Sequence, residues 1–99
     1  MNKPLIIEPE AERDIANAYE WYEQQREGLG DDFALCLEAG LQTIRERPRS
    51  FPAVLKNARR MLIHRFPYLI LFVEYADLIA VHGVFHTSRD PKRWSARLA

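Results

Sequence analysis

Residues 59–86, RRMLIHRFPYLILFVEYADLIAVHGVFH, decide the fold of this chain. Three runs rich in β-branched and aromatic residues, RRMLIHRF, LILFVEY and LIAVHGVFH, are separated by short breaks at residues 66–68 and 76–77. Such runs between turn residues predict strands, and the short breaks predict an antiparallel meander. The middle run is apolar at successive positions, which is typical of a central strand that is covered on both faces.

A first helix is predicted ahead of these strands. In EPEAERDIANAYEWYEQQR, the residues Ala11, Ile15, Ala18 and Tyr22 recur at spacings of four, three and four, which places them on one face of a helix. Pro9 suits the first turn of this helix, and the acidic residues around it suit the positive end of the helix dipole.

A second helix follows the segment EGLG, whose two glycines break the first helical pattern. Asp31 or Asp32 is predicted to cap this helix, which runs to about Arg47 and stops before Pro48. Because the connection is short, the two helices are expected to form an antiparallel hairpin. The residues assigned to the inner face of the second helix are Phe33, Cys36, Leu37, Gly40, Leu41 and Ile44.

The order of these elements predicts the fold class. The apolar segment at residues 5–8 is too brief to stand alone and is expected to add a fourth strand, while the proline-bearing residues 48–58 are expected to form a loop. The order β-α-α-β-β-β predicts an α+β fold in which a helical hairpin packs on one face of a small antiparallel sheet. The 99 residues accommodate a single domain, residues 1–99, with one hydrophobic core.

Composition favours a soluble, cytoplasmic protein without a cofactor. Apolar residues make up 47% of the chain and charged residues 28%, which is the balance of a folded globular protein. The longest aliphatic or aromatic run, residues 69–73, is too short to span a membrane, and residues 1–10 lack the apolar core of a signal peptide. Cys36 is the only cysteine, so no intrachain disulfide is expected. The histidines His64, His82 and His86 have no adjacent cysteine or paired carboxylate, so no metal site is predicted.

The neutral total charge hides an asymmetry between the two halves of the chain. Residues 1–42 hold three cations and ten acids, whereas residues 43–99 hold eleven cations and four acids. A neutral chain has little long-range attraction for nucleic acid, yet its basic half can meet an acidic partner at close range. Alternatively, the two halves complement each other within the fold.

Two features point to partner contact. Trp21, Leu35 and Ala39 fall outside the inner helical faces, so they are either contact residues or isolated exposed apolar residues. Near the end of the chain, the segment VFHTSRDPKRW at residues 84–94 joins an Asp-Pro turn to a basic, aromatic-bearing tail. Trp94 either covers the sheet or faces a partner, and aromatic and arginine residues dominate binding hot spots. The cations of this tail are Arg89, Lys92, Arg93 and Arg97.

Four segments occur in one order, AERDIANAYEWYE, RPRSFP, RRMLIHRFPYLILF and VFHTSRDPKRW, and together they resemble the RelE/ParE family of bacterial toxins. The resemblance covers nearly the whole chain. It implies a type II toxin–antitoxin module, in which a labile antitoxin wraps and silences the toxin, and it implies the same β-α-α-β-β-β architecture. The matching positions are Arg60, Arg65, Phe66, Pro67 and Tyr68, followed by His86, Arg89, Asp90, Pro91 and Trp94.

The family divides by target. RelE-like members cut messenger RNA on the ribosome, and His86, Arg60 and Arg89 are the residues that would supply acid–base and phosphate-binding groups for such a reaction. This chain is neutral overall, however, and it has no tyrosine after Tyr75. These departures favour the ParE-like branch, whose members block DNA gyrase without catalysis of their own. A member that only binds an antitoxin is a third possibility.

The resemblance also implies a hetero-oligomer with an antitoxin. An extended antitoxin segment is expected to place apolar anchors on the helices and sheet edges and its acids on the basic half of the chain. The residues predicted to bind the antitoxin or the target are Arg59, Arg60, Arg65, Arg89, Lys92, Arg93, Trp94, Arg97, Trp21 and Leu35.

Overall fold

A computed structural model describes residues 3–98, which form a five-stranded sheet and three α-helices. The elements are β1 (Leu5–Ile7), α1 (Pro9–Gln25), α2 (Leu29–Glu46), a single 3₁₀ turn (Pro48–Ser50), β2 (Ala53–Leu55), β3 (Ala58–Leu62), β4 (Tyr68–Glu74), β5 (Ile79–His86) and α3 (Lys92–Leu98). The predicted α+β class and the helical hairpin are confirmed. Within residues 3–98, no helix is both long and apolar enough to cross a membrane.

The strand order in the sheet is β1-β5-β4-β3-β2. The last three strands form the predicted antiparallel meander, and the short β2 extends it at the edge. However, β1 runs parallel to β5, with Leu5 opposite Ile79, so the sheet is mixed. A parallel neighbour requires a crossover, and the α1–α2 hairpin supplies part of it. The register of β4 and β5 shifts once between Leu71 and Phe72, where His82 is the extra residue of a bulge.

The centre of the sheet is covered on both faces, as the apolar pattern of β4 predicted. Residues 69–73 of β4 are all no more than 2% exposed. The α1–α2 hairpin packs on the face that carries Ile70 and Phe72, whereas α3 packs on the face that carries Leu69 and Leu71. The residues of the second, smaller cluster are Ala58, Leu69, Leu71, Val73 and Phe85, with Val54, Trp94 and Leu98 packed against them.

The predicted inner faces of α1 and α2 are confirmed, although Ile15 and Cys36 are only half-buried. The start of α2 differs from the prediction. The helix begins at Leu29, and its N-cap is Gly28 with φ 90°, a left-handed conformation that favours glycine. The Glu23 carboxylate accepts hydrogen bonds from the backbone N–H groups of Gly28 and Gly30, so it serves the helix start where Asp31 or Asp32 was expected to do so.

Two predictions about the connections were incomplete. Residues 48–58, expected to form a loop, contain the 3₁₀ turn and the short edge strand β2. The tail that follows β5 contains α3, and the Asp90 carboxylate accepts a hydrogen bond from the Lys92 backbone N–H at its start, at 2.9 Å. The strand β2 and the helix α3 are too short to show a periodic pattern in the sequence. Their contacts with the sheet determine where they form.

The double-sided burial of β4 predicts a large stability difference between two substitutions. Phe72→Ala should lower the free energy of unfolding by about 3–5 kcal/mol, because Phe72 is fully buried and its ring packs edge-on against Phe51. Leu35→Ala is the control, because Leu35 is 71% exposed, and it should change stability by no more than about 0.5 kcal/mol. Urea unfolding followed by circular dichroism measures both. A similar loss for the two variants would contradict this core assignment.

Candidate partner-binding site

A groove of about 880 Å³ lies between α1 and the segment that runs from the end of β5 into α3. Residues 14–22 of α1 contribute one wall of the groove. The end of β5 and the loop that follows it form the other wall. Pro67 and Tyr68 close one end, where the turn before β4 meets the end of β5. The groove is lined by Asp14, Asn17, Ala18, Trp21, Tyr22, Pro67, Tyr68, Val84, Phe85, His86, Ser88, Arg89, Arg93 and Arg97.

His86 has a fixed orientation at the edge of this groove. Its Nδ1 atom accepts a hydrogen bond from the Ser88 backbone N–H at 3.1 Å and lies 2.7 Å from the Ser88 hydroxyl. The ring also packs edge-on against Tyr68, with the ring centroids 5.2 Å apart. Because a backbone N–H can only donate, Nδ1 is the acceptor and the neutral ring carries its proton on Nε2. In that tautomer Nε2 is a hydrogen-bond donor, and Nδ1 is occupied by Ser88.

The groove carries positive charge near its mouth. Arg89 and Arg93 are exposed, and both line the groove beside Tyr68. Burial raises the pKa of the Tyr68 phenol, while the nearby charge of Arg89 acts in the opposite direction. The phenol is therefore a neutral donor at physiological pH. Together these groups offer cations and hydrogen-bond donors to an anionic partner.

The three residues considered for ribonuclease chemistry do not lie together. Arg60 pairs with Leu71, whose side chain lies in the cluster under α3. His86 pairs with Tyr68, which packs on the opposite face, against the helical hairpin. Side chains at directly paired positions point to the same face of a sheet, so Arg60 and His86 point to opposite faces. Only His86 and Arg89 of this set share the groove.

Arg97 has intramolecular contacts that the sequence did not indicate. Its guanidinium binds both carboxylate oxygens of Asp14 and also bonds Glu10, and its side chain is only 19% exposed. Hydrogen bonding to Asp14 raises the pKa of Arg97, so its charge is permanent. Trp94 lies half-buried against the cluster under α3, where it covers the sheet. Of the predicted tail residues, Arg89, Lys92 and Arg93 are the exposed cations.

The remaining predicted cations are dispersed. Arg59 donates a hydrogen bond to the Phe51 carbonyl at 2.6 Å. Arg65 has φ 73°, lies 4.0 Å from Asp32 and stacks over the Phe66 ring at 5.6 Å. Neither residue lines the groove, so the basic half of the chain does not form one continuous patch.

The exposed apolar residues lie on different sides of the helical hairpin. Trp21 is 54% exposed, packs edge-on against Tyr22 and lines the groove. Leu35 is 71% exposed on the outer face of α2 and is not part of the groove. Sequence reasoning did not single out Ile6, Leu62 and Tyr75, which are also more than 40% exposed. Ile6 and Leu62 lie on strands beside more buried neighbours, and this alternation was the available signal, whereas Tyr75 follows β4.

Several groove residues escaped sequence reasoning, although Asn17 and Ser88 lie inside segments that carry the family resemblance. Asn17 lies one turn before Trp21 on α1, and Ser88 follows β5 by two residues. The α1 periodicity could have placed Asn17 beside Trp21, but nothing in the sequence shows that α1 faces the end of β5. Among residues 3–98, no three histidine, cysteine or carboxylate groups lie close enough to hold a metal ion.

Comparisons with known proteins agree with this architecture. The family model described as the ParE toxin of the type II toxin–antitoxin system parDE matches residues 5–91. A solved structure described as the chromosomal ParDE TA system from P. aeruginosa is similar, with a TM-score of 0.76 and 12% sequence identity, over 85% of this chain and 95% of that chain. At this identity, the structural likeness shows the fold alone. A search of curated proteins gave no match. The helix α3 lies beyond the family match.

The effect of the Arg89 charge on the Tyr68 phenol can be tested by titration. Arg89→Gln should raise the pKa of Tyr68 further, because it removes the positive charge that favours the phenolate. Arg93→Gln is the matched control, since it removes one exposed cation from the same groove and should leave Tyr68 less affected. Subtracting the ultraviolet titration of the corresponding Tyr68→Phe variant isolates this phenol. A lower pKa in Arg89→Gln would show that the two groups do not interact as the geometry indicates.

Proposed function

Since the chain belongs to the ParE toxin family of type II toxin–antitoxin systems, we propose that it inhibits DNA gyrase in the cytoplasm and that a cognate antitoxin neutralises it in a hetero-oligomer. The separation of Arg60 from His86 across the sheet is the observation that favours inhibition by binding over RNA cleavage. Cleavage through a 2′-hydroxyl requires a base, an acid and phosphate-binding cations around one phosphate. In the groove, the Nδ1 atom of His86 instead accepts a hydrogen bond from Ser88, and Arg60 does not line the groove.

The groove supports a binding role because it combines aromatic surface with unneutralised charge. Trp21 and Tyr22 form apolar surface along α1, while Arg89 and Arg93 lie across the groove. Aromatic and arginine side chains of this kind supply most of the binding energy in protein interfaces. We infer that a target surface with carboxylates and an apolar anchor occupies the groove, and that the antitoxin competes for it.

The antitoxin can contact residues outside the groove as well. These residues are Leu35 and the dispersed cations Arg59 and Arg65. A segment that contacts both Trp21 and Leu35 must pass around the helical hairpin, because these residues lie on different sides of it. An extended segment that orders on binding meets this requirement. Such wrapping allows the antitoxin to cover more surface than the target needs.

Gyrase inhibition is tested with the purified chain, free of antitoxin, in a DNA supercoiling assay. The chain should inhibit supercoiling at micromolar concentration or below, and Arg93→Glu should raise the half-inhibitory concentration about tenfold, because it places an acid where an anionic surface binds. Arg47→Glu is the matched control, because Arg47 is also exposed but lies at the C-terminal end of α2 and does not line the groove. No inhibition, together with new message ends in primer extension on translating ribosomes, would assign the chain to the ribonuclease branch. Harmless expression without either effect would favour a member that only binds an antitoxin.

Antitoxin binding is tested separately by surface plasmon resonance with the antitoxin encoded beside this chain. The double variant Arg89→Glu and Arg93→Glu should slow association about tenfold and flatten its salt dependence, because exposed charges act mainly on the encounter rate. Trp21→Ala should mainly accelerate dissociation, because buried apolar anchors set the lifetime of a complex. An association rate equal to that of Arg47→Glu would exclude the mouth of the groove from the antitoxin interface.

A further inference from the structure

We propose that α3 is a reversible strap, which docks on the sheet through an ionic latch between Arg97 and the α1 acids Asp14 and Glu10 and detaches in a local opening that leaves the rest of the fold intact. This device goes beyond the proposed gyrase inhibition, although Asp14 and Arg97 also line the groove. The helix α3 lies outside the part of the chain that the family model matches.

The latch attaches α3 to α1 through one side chain, that of Arg97. The Arg97 Nη1 and Nη2 atoms lie 2.7 and 3.1 Å from the two carboxylate oxygens of Asp14, and Nε lies 3.1 Å from Glu10. The guanidinium also stacks over the Phe85 ring at 4.8 Å. Parallel charge-assisted hydrogen bonds of this kind are stronger than neutral ones, and the side chains of Arg97 and Asp14 are both less than 20% exposed.

The receptor for Arg97 is the outer edge of β5, where β1 has ended. The pairing of β1 with β5 stops at Ile7 and Val81, so the following edge of β5 has no neighbouring strand. There, Asp14 accepts a hydrogen bond from the Val84 backbone N–H, and Arg97 donates one to the His82 carbonyl at 3.0 Å. The ion pair thus takes the place of a continued strand and satisfies groups that a sheet edge leaves open.

Gly83 shapes the floor of this receptor. A Cβ atom at this position would overlap the Phe85 ring and lie 3.3 Å from Nη1 of Arg97. Without that atom, the Phe85 ring folds back over the strand and lies beneath the guanidinium. The site that receives the Arg97 guanidinium is therefore formed by the sheet itself.

The other contacts of α3 are weak. The helix has seven residues, far below the roughly 12–15 at which isolated helices become marginal in water. Asp90 caps its start, but its first turn has no acid, so Lys92 and Arg93 are unfavourable at the positive end of the dipole. Only the half-buried Trp94 and Leu98 reach the apolar cluster.

Trp94 also disfavours the docked state in one respect. Its Nε1 atom is buried and has no hydrogen-bond partner within residues 3–98. A buried donor without a partner loses its hydration, and detachment of α3 returns that donor to water. The docked state therefore depends on the latch, and the exposed residues 87–91 supply the hinge.

Opening would uncover the smaller apolar cluster of the sheet. The floor under α3 consists of Leu69, Leu71 and Phe85, which are at most 6% exposed when the strap is closed. The opposite face keeps its helical hairpin, so the main core stays intact. Local openings that break few apolar contacts are the ones that occur below the free energy of global unfolding.

Native-state hydrogen exchange on the unmodified chain gives the first test. The amides of residues 96–98 should exchange at least about a hundredfold faster than those of residues 70–72 in β4, and low urea concentrations should change the α3 rates little, because the opening exposes little surface. Equal rates with equal urea dependence would mean that α3 opens only by global unfolding, and would overturn the strap.

The second test places a reporter on the strap in a Trp21→Phe background, where Trp94 is the only tryptophan. Arg97→Gln should increase acrylamide quenching of Trp94 several-fold, because loss of one partner of a desolvated ion pair shifts the strap toward the open state. The amides of residues 70–72 should stay protected in the same variant. Arg93→Gln removes an exposed cation of α3 and should leave the quenching unchanged.

Two outcomes of this second test would overturn the strap. One is quenching in Arg97→Gln that equals the Arg93→Gln control, which would show that the ion pair does not hold α3. The other is simultaneous loss of protection in α3 and β4, which would show that α3 is an inseparable part of the cooperative fold. The hydrogen-exchange measurement on the unmodified chain remains decisive if Arg97→Gln fails to fold.

Discussion

Burial of β4 on both faces is the constraint on which the rest of this structure depends. A strand with five consecutive residues no more than 2% exposed cannot stand in a two-layer fold with one face in water. The helical hairpin covers one face with a large aromatic and aliphatic core. The other face is covered by α3, which is short, so a charged contact to α1 has to supplement its few apolar ones. Asp14 and Arg97, which form this contact, also line the groove.

Ion pairs within the fold neutralise part of the charge asymmetry between the two halves of the sequence. Arg97 is matched by acids of α1, and the Glu74 carboxylate bonds both Lys3 and Arg49, whose hydrogen bonds lower its pKa. The Arg97 pairs join the acidic and basic halves of the chain and support the interpretation that the halves complement each other, whereas Arg49 and Glu74 both lie in the basic half. Arg89, Lys92 and Arg93 remain exposed. The charge available to a partner is thus smaller and more localised than the count of basic residues suggests.

The sequence predicted the elements whose patterns are long enough to be distinctive. The stripe from Ala11 to Tyr22 and the apolar run of β4 each follow from burial of a regular surface. Sequence reasoning failed where a contact distant in the chain determines the structure. The three residues of β2 form a strand only because β3 lies beside them, and α3 depends on Asp14, which is remote in sequence. For the site, residue types pointed correctly to Trp21, Arg89 and Arg93 as exposed, but only strand register reveals that Arg60 and His86 point apart.

The parallel pairing of β1 with β5 has a consequence for the order of events during synthesis. Leu5 leaves the ribosome early, yet its partner Ile79 is made only after both helices and the three preceding strands. Contacts between such distant segments close late and slow folding. The first strand therefore has no partner until β5 has been synthesised, and the groove, which residues of β5 and the following loop line, cannot form before then either.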